Sequence, residues 1–127
     1  MFAERDMSID ADLARLREAR QWAERAAREF GFGADHCYQV KLAMSEAVAN
    51  AIQHGSQTAD DLIHISARAS SDALVFEVRD TGIFEEREVE PELSERGRGL
   101  VLVGLVMDEV ELTPGPSGSV LRFAKRL

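Results

Sequence analysis

The sequence is poor in cysteine and lacks a long apolar run. Its 127 residues include one cysteine, Cys37, so an internal disulfide or a multi-cysteine metal site is impossible. The longest apolar stretch, Leu100 to Met107 with one glycine inside, is far too short to span a bilayer. The first residues lack the apolar segment of a signal peptide. We therefore expect a cytoplasmic protein without a membrane anchor, in which Cys37 is a small buried side chain.

Positive charge is also scarce. Fifteen Lys and Arg residues face 23 Asp and Glu residues, which gives a formal net charge of -8. Nucleic acid backbones favour stripes of Lys and Arg, so direct binding of nucleic acid is disfavoured. An acidic surface suits a basic protein partner instead. The length predicts a single domain over residues 1–127.

Two helices are predicted in the first half of the chain. Apolar residues at helical spacing predict a helix from Asp10 to Phe30, with Asp10 as N-cap and Gly31 as its stop. Asp35 is the predicted cap of a second helix, which ends at Gly55. The arginines of the first helix are interpreted as a solvated face that pairs with nearby glutamates. Trp22 is either part of the core or an anchor for a partner, and we favour the core.

Strands dominate the second half. Alternating apolar and polar residues predict a hairpin of strands 62–68 and 73–79, with His64 exposed on the polar side. A charged loop over 83–96 then leads to an apolar helix, 100–107, which we expect to be buried on all sides. Two last strands follow, at 109–113 and 119–125. This order predicts an α/β two-layer sandwich, with helices on one face of a mixed, mostly antiparallel sheet.

Three polar residues recur along the second predicted helix. Glu46, Asn50 and His54 are four residues apart, so each is displaced by only about 40° around the helix axis from the one before. An acid, an amide and an imidazole then lie in line on a rigid element, as a binding or catalytic site requires. The same spacing also occurs on ordinary exposed helices, and alone it leaves both interpretations open.

Two glycine motifs follow in the chain. Asp80-Thr81-Gly82 comes at the end of a predicted strand, and Gly97-Arg98-Gly99 opens the apolar helix. Glycines at the start of a helix leave the backbone N–H groups accessible, so these groups can face phosphates. No Walker P-loop is present, so P-loop kinases are disfavoured.

Taken in order, these motifs resemble the N, G1 and G2 boxes of the ATP-binding fold shared by gyrase, Hsp90, histidine kinases and MutL, the GHKL superfamily. Within it, three segments resemble the stand-alone anti-sigma factor serine/threonine kinases: Ser45-Glu-Ala-Val-Ala-Asn-Ala-Ile-Gln-His-Gly55, Gly97-Arg-Gly-Leu100 and Met107-Asp-Glu-Val-Glu111. The resemblance covers nearly the whole chain.

The resemblance implies a set of site residues and cofactors. It implies binding of ATP or ADP with Mg²⁺, with Asn50 as the metal ligand and Glu46 as the base that accepts the proton of an attacking hydroxyl. Asp80 would accept a hydrogen bond from the adenine amino group. We assign His54 mainly to holding the helix end, with a nucleotide contact as the alternative. The nucleotide-contacting residues it implies are Asn50, Asp80, Gly82, Gly97, Arg98, Gly99, Leu100 and Ser119.

The function implied is that of an anti-sigma factor kinase. Such a protein sequesters a sigma factor and phosphorylates an anti-anti-sigma protein of the STAS type, and a homodimer is expected. The chain departs from many relatives where Ile83-Phe84 follows Gly82 in place of a second glycine, and the glutamate-rich loop brings negative charge towards a polyphosphate. These departures leave open an alternative, a non-catalytic module for a sigma factor or antagonist whose nucleotide pocket is degenerate or structural.

Overall fold

The computed structural model describes residues 2–55, 61–80, 101–115 and 118–127, with the backbone alone for His54 and Gly55. Two helices in the first half of the chain are followed, after the first gap, mainly by strands. The elements are β1 (Arg5–Asp10), a 3-10 turn (Leu13–Arg15), α1 (Leu16–Phe30), α2 (Ala34–Asn50), a π-helical turn (Ala51–Gly55), β2 (Leu62–Ala69), β3 (Ala73–Asp80), α3 (101–106), β4 (Glu109–Thr113) and β5 (Val120–Arg126).

The strands form one sheet in the order β1-β2-β3-β5-β4. All four pairings between the described strands are antiparallel. The hairpin predicted from alternation is β2 and β3, in which Ile65 lies opposite Val78. Phe76 of β3 in turn lies opposite Phe123 of β5, with the two rings stacked at 5.5 Å. The predicted two-layer sandwich is confirmed, and a parallel pair is absent from the described strands.

The core lies between the inner face of the sheet and the two long helices. Four alanines line the buried side of α1, and their small side chains let α1 and α2 pack closely. Larger apolar side chains of α2 and of the sheet fill the space between the helices and the sheet. The largest fully buried side chains are Phe76, Phe123, Ile9, Met44, Ile63, Ile65, Leu74, Val40, Val48 and Val103.

Strand β1 was not predicted from the sequence. It runs antiparallel along β2, with Ser8 opposite His64, and buries Ile9 in the core. Its outward positions Asp6, Ser8 and Asp10 are exposed. An alternation with only two inward apolar side chains, Met7 and Ile9, is too short to separate a strand from a polar N-terminal segment.

Two predicted helix caps are wrong. Asp10 ends β1, and Asp12 caps the 3-10 turn before α1, where its carboxylate accepts a hydrogen bond from the backbone N–H of Ala14 at 2.9 Å. Arg15 occupies the N-cap of α1 itself, without a side-chain hydrogen bond. Gly33 occupies the N-cap of α2 without a side-chain hydrogen bond, and Asp35 lies in the first turn. There its charge still favours the positive end of the helix dipole. The predicted stop at Gly31 is confirmed, since its φ of 112° lies in the left-handed region that favours glycine.

Helix α3 is buried on one side only, so the prediction that it is buried all round is wrong. Val103 and Met107 face the core, whereas Val101 and Leu105 are 59% and 76% exposed. The end of α3 is tied to β5, because Lys125 Nζ donates to the carbonyl of Val106 at 2.8 Å. Apolar composition could not reveal that only one side of the helix finds a partner layer.

Arg28 pairs with Glu24 as expected, but Glu29 pairs with Arg5 of β1 rather than with an arginine of its own helix. Trp22 is half-buried and packs edge-on against Phe76. His64 is exposed, as predicted, within 2.7 Å of the Ser8 hydroxyl. None of the helices in the described part of the chain has the length and apolarity needed to cross a membrane.

Candidate nucleotide-binding site

Helix α2 presents Glu46 and Asn50 one turn apart on the same side. Glu46 is half-buried, and Asn50, the last residue of the helix, is 8% exposed. The Asn50 amide forms no side-chain hydrogen bond with another described residue. A buried amide whose oxygen accepts no hydrogen bond from another described residue is suited to bind a hard cation such as Mg²⁺.

The helix continues beyond Asn50 as a π-helical turn, Ala51–Gly55. This turn contacts β3, the strand that ends at Asp80. Turns of this type are uncommon and occur frequently at functional sites. Their wider hydrogen-bond spacing also means that the rotation per residue assumed for His54 does not apply. The side chain of His54 lies outside the described residues, so its role at the helix end stays a prediction.

Asp80 and Ser119 meet at the adjoining ends of β3 and β5. The backbone N–H of Asp80 donates to the carbonyl of Ser119 at 3.0 Å, and the backbone N–H of Ser119 donates to Asp80 Oδ1 at 3.1 Å. Both residues are buried, at 4% and 2% exposure. Antiparallel pairing of Arg79 with Val120 brings them side by side. Gly118, with a φ of 138°, turns the chain just before Ser119.

The hydroxyl of Ser119 is the unusual feature of this pair. Its Oγ is buried and has no hydrogen-bond partner among the described residues. Leaving such a group unpaired costs free energy, and each case in a native structure requires an explanation. A carboxylate beside an unpaired hydroxyl matches the hydrogen-bonding edge of a purine base, which offers both N–H donors and ring-nitrogen acceptors. The residues present therefore fit a bound nucleotide base.

Sequence reasoning placed Asp80 and Ser119 in the site but missed that they bond directly to each other. That bond depends on the register of β3 and β5, two strands that are distant in the chain, so no local pattern of the sequence reveals it. Five other predicted site residues lie outside the described residues and stay predictions: Gly82, Gly97, Arg98, Gly99 and Leu100. The departure at Ile83-Phe84 lies outside them too.

Metal binding at Asn50 would depend on the nucleotide. In the part of the chain that the structure describes, no group of three or more His, Cys, Asp or Glu side chains could hold a metal ion. Mg²⁺ usually takes few protein ligands and completes its shell with phosphate oxygens and water. A single amide ligand is consistent with that mode of binding.

Cys37 lies in the first half of α2, away from these residues. Its thiol donates to the carbonyl of Phe32 at 3.5 Å, and burial raises its pKa. The thiol is therefore held neutral, which confirms its interpretation as a small buried side chain rather than a nucleophile.

Comparison with known proteins supports the same assignment. Residues 9–125 match the model of the histidine kinase-like ATPase domain family. The anti-sigma F factor of Bacillus velezensis is 32% identical over 104 residues, which cover 73% of this chain and 71% of that protein. The anti-sigma F factor of Heyndrickxia coagulans is 36% identical over 96 residues, which cover 66% of this chain and 65% of that protein.

Solved structures share the fold. The RsbU and RsbW domains of a Mycobacterium tuberculosis protein superimpose with a TM-score of 0.78 at 22% identity, over 98% of this chain and 32% of that one. The catalytic domain of the histidine kinase ThkA gives a TM-score of 0.59 at 16% identity, over 96% of this chain and 97% of that domain. This chain therefore belongs to the histidine kinase-like ATPase family and, within the GHKL superfamily, to the anti-sigma factor kinases.

Proposed function

We propose that the protein is an anti-sigma factor that uses ATP as a protein serine/threonine kinase. In this proposal it sequesters a sigma factor and phosphorylates a STAS-type anti-anti-sigma protein. The phosphorylation would determine which of these two partners the kinase binds. The observation that carries the nucleotide-binding part is the buried pair of Asp80 and Ser119, with a hydroxyl that has no partner among the described residues.

The base of the nucleotide would be bound at the ends of β3 and β5. The backbone N–H of Ser119 fixes one oxygen of Asp80, and this orients the carboxylate to accept the adenine amino N–H. The Ser119 hydroxyl would supply a second hydrogen bond. Gly82 would allow close approach of the base.

The phosphates would be held between α2 and the glycine motif before α3. Asn50 would bind Mg²⁺, and the backbone N–H groups of Gly97, Arg98, Gly99 and Leu100 would face the phosphate oxygens. Bound ATP with Mg²⁺ supplies the phosphoryl group for transfer. Arg98 would offset part of the negative charge.

Glu46 would act as the general base. It lies one helical turn before Asn50 on the same side of α2, so a hydroxyl directed at the phosphate would pass near its carboxylate. Glu46 would accept the hydroxyl proton as the oxygen attacks. Its half-buried position limits competition from water without isolating the group from a protein substrate.

The kinase proposal is tested by phosphoryl transfer. The protein is incubated with labelled ATP, Mg²⁺ and each STAS-domain protein of the source organism in turn, and labelled serine or threonine is identified by mass spectrometry. We expect Glu46→Gln to reduce transfer by about 100-fold or more while leaving nucleotide affinity unchanged. Transfer at the wild-type rate in this variant would remove Glu46 as the base.

A non-catalytic module is the second candidate. Ile83-Phe84 after Gly82 and the six glutamates between Glu85 and Glu95 favour it, because both alter the segment next to the phosphates. It predicts sequestration of a sigma factor without phosphoryl transfer to any STAS-domain protein. Transfer that depends on Asn50 would exclude it.

Assembly and location belong to the same proposal. A cytoplasmic homodimer is expected for a kinase of this group that acts on sigma factors. Light scattering coupled to size-exclusion chromatography would give twice the chain mass for a dimer. A single-chain mass at micromolar concentration would contradict that expectation.

A further inference from the structure

A groove crosses the outer face of the sheet, on the side away from the helices. Its volume is about 390 Å³, and it runs over β1, β2 and β3. Met7 and Ile65 contribute to its lining, although their side chains pack against the core. The side chains that face the groove are all polar: Asp6, Ser8, His64, Ser66, Glu77 and Arg79.

The strand register arranges these polar side chains in two rows. One row lies across the three strands and consists of Ser8, His64 and Arg79. The other row, two residues away along each strand, consists of Asp6, Ser66 and Glu77. Rows with this spacing are roughly 6.7 Å apart, so long side chains from both can reach one small molecule. The first row offers a guanidinium and an imidazole, and the second offers two carboxylates.

The opposite charges of the two rows do not pair with each other. Arg79 and Glu77 lie two residues apart on the same face of β3, yet neither forms an ion pair with a residue that the structure describes. The same is true of Asp6. Further across this face, in contrast, Glu109 of β4 pairs with Arg126 at 2.9 Å. The charges that face the groove are thus available to a ligand, whereas those near β4 neutralise one another.

The imidazole of His64 is held in place by its neighbour on β1. Its Nδ1 lies 2.7 Å from the hydroxyl oxygen of Ser8. When this hydroxyl donates to Nδ1, the proton of the neutral ring is on Nε2, which can then donate to a ligand. An imidazole N–H beside a guanidinium suits a carboxylate, because a guanidinium binds both carboxylate oxygens at once. The carboxylates of the other row suit an ammonium group.

We propose that this groove binds a small zwitterion, a free α-amino acid, with its two charges on the two rows. The carboxylate of the ligand would contact Arg79 and the His64 imidazole, and its ammonium group would contact Asp6 and Glu77. A simple anion or cation would engage one row alone. Binding sites of this volume hold small molecules, which a few placed polar groups orient. Because the side chains facing the groove are polar, we expect amino acids with small or polar side chains to bind best.

The groove is separate from the proposed nucleotide site. Arg79 and Asp80 are consecutive in β3, and consecutive side chains of a strand point to opposite faces of the sheet. Asp80 is buried on the side of the helices, whereas Arg79 is exposed on the outer face. Binding of an amino acid here therefore does not depend on the proposed kinase function.

Amide NMR spectroscopy of the full chain tests the proposal, with glycine, L-serine and L-glutamine as the ligands. Concentrations up to about 20 mM are suitable, because a ligand of so few atoms is expected to bind with millimolar affinity. We expect saturable shifts of the backbone signals of Ser8, His64 and Ser66. The N-acetyl derivative of each amino acid lacks the ammonium group, and the amide derivative lacks the carboxylate. Each derivative should bind at least about tenfold more weakly than its parent.

Substitutions in the groove test the two rows separately. Arg79→Gln and Glu77→Gln should each weaken binding by about tenfold, since each removes a hydrogen bond between charged groups. Arg68→Gln is the matched control, because Arg68 is exposed on β2, has no ion pair with a described residue and does not line the groove. It should leave the affinity within about twofold of wild type. The dispersion of the amide spectrum shows that each variant is folded.

Several results would overturn the proposal. One is the absence of shifts in the groove with all three amino acids at the highest concentration. Another is equal binding of an amino acid and either of its derivatives, or equal weakening by Arg68→Gln and Arg79→Gln. Tighter binding of a peptide with blocked ends that carries one Lys and one Glu would instead assign the groove to a polypeptide partner. The experiment needs no nucleotide, so its failure would leave the proposed phosphoryl transfer untouched.

Discussion

At the residue scale, the proposed nucleotide site is centred on one buried hydrogen-bonded pair. The backbone N–H of Asp80 donates to the Ser119 carbonyl, and the backbone N–H of Ser119 donates to the Asp80 carboxylate. The carboxylate is therefore oriented before any ligand binds. Such preorganisation lowers the cost of binding, because the side chains need little ordering. The unpaired Ser119 hydroxyl has the opposite effect on the free protein, where it lowers stability.

Ser119→Ala separates these two effects. Removal of a buried hydroxyl without a partner should leave the free energy of unfolding unchanged or raise it by up to about 1 kcal/mol in nucleotide-free protein. Nucleotide affinity should fall several-fold, because one hydrogen bond to the base is lost. Urea unfolding and calorimetric titration with ADP measure the two quantities.

Ser8→Ala is a suitable control for this substitution, since its hydroxyl is exposed and contacts His64 on β2. It should alter neither quantity appreciably. A loss of more than about 1 kcal/mol in Ser119→Ala would show that the hydroxyl is bonded in the native state, which contradicts the account of the site.

Cys37 gives a second prediction at this scale. Because burial raises the pKa of its thiol, the folded state favours the neutral form. The unfolded thiol ionises near pH 8.5, so the free energy of unfolding should decline as the pH rises above that value. Below it the contribution is fully present.

Alkylation by iodoacetamide reports the same property. The folded chain should react at least about tenfold more slowly at pH 8.5 than the chain in concentrated urea, since the thiolate is the reactive form. Equal rates in the two states would show that Cys37 is accessible and not held neutral.

At the element scale, strands and helices differed in how far the sequence revealed them. The hairpin β2–β3 and the strands β4 and β5 were predicted within a residue or so, because each alternates cleanly between core and solvent. The body of α1 and α2 followed from apolar residues at helical spacing. These patterns are local, so a single sequence contains them.

What the sequence did not reveal depends on contacts between distant segments. Strand β1 becomes a strand because β2 offers it a complete antiparallel partner, and Arg5 then reaches Glu29 on α1. The π-helical turn after Asn50 and the one-sided burial of α3 are likewise set by packing on the sheet. At the site, Asp80 and Ser119 were predicted as separate residues, while their mutual hydrogen bond required the register of two strands.

Ile9→Ala tests how β1 is held. Ile9 is fully buried beneath the helices, and its truncation should cost about 2–5 kcal/mol of unfolding free energy. Asp6→Ala on the same strand is exposed and without an ion pair to the described residues, and it should change stability by less than about 0.5 kcal/mol. Equal small effects in urea unfolding would mean that β1 does not contribute to the cooperative core.

At the scale of the whole molecule, one layer of strands packs against one layer of helices, and both layers contribute residues to the proposed site. The ends of β3 and β5 and the end of α2 would form the proposed nucleotide site. The main expectation at this scale is that the fold binds a nucleotide together with Mg²⁺.

Thermal unfolding with ATP or ADP, with and without Mg²⁺, tests that claim most directly in wild type, Asn50→Ala and the control Gln53→Ala. A ligand that binds only the native state, at about 100 times its dissociation constant, adds about 2.7 kcal/mol. We predict Mg²⁺-dependent stabilisation of wild type and Gln53→Ala, and its loss in Asn50→Ala. The absence of any shift in wild type at saturating nucleotide would contradict the account, and the chain would then be a partner-binding domain that kept only the fold.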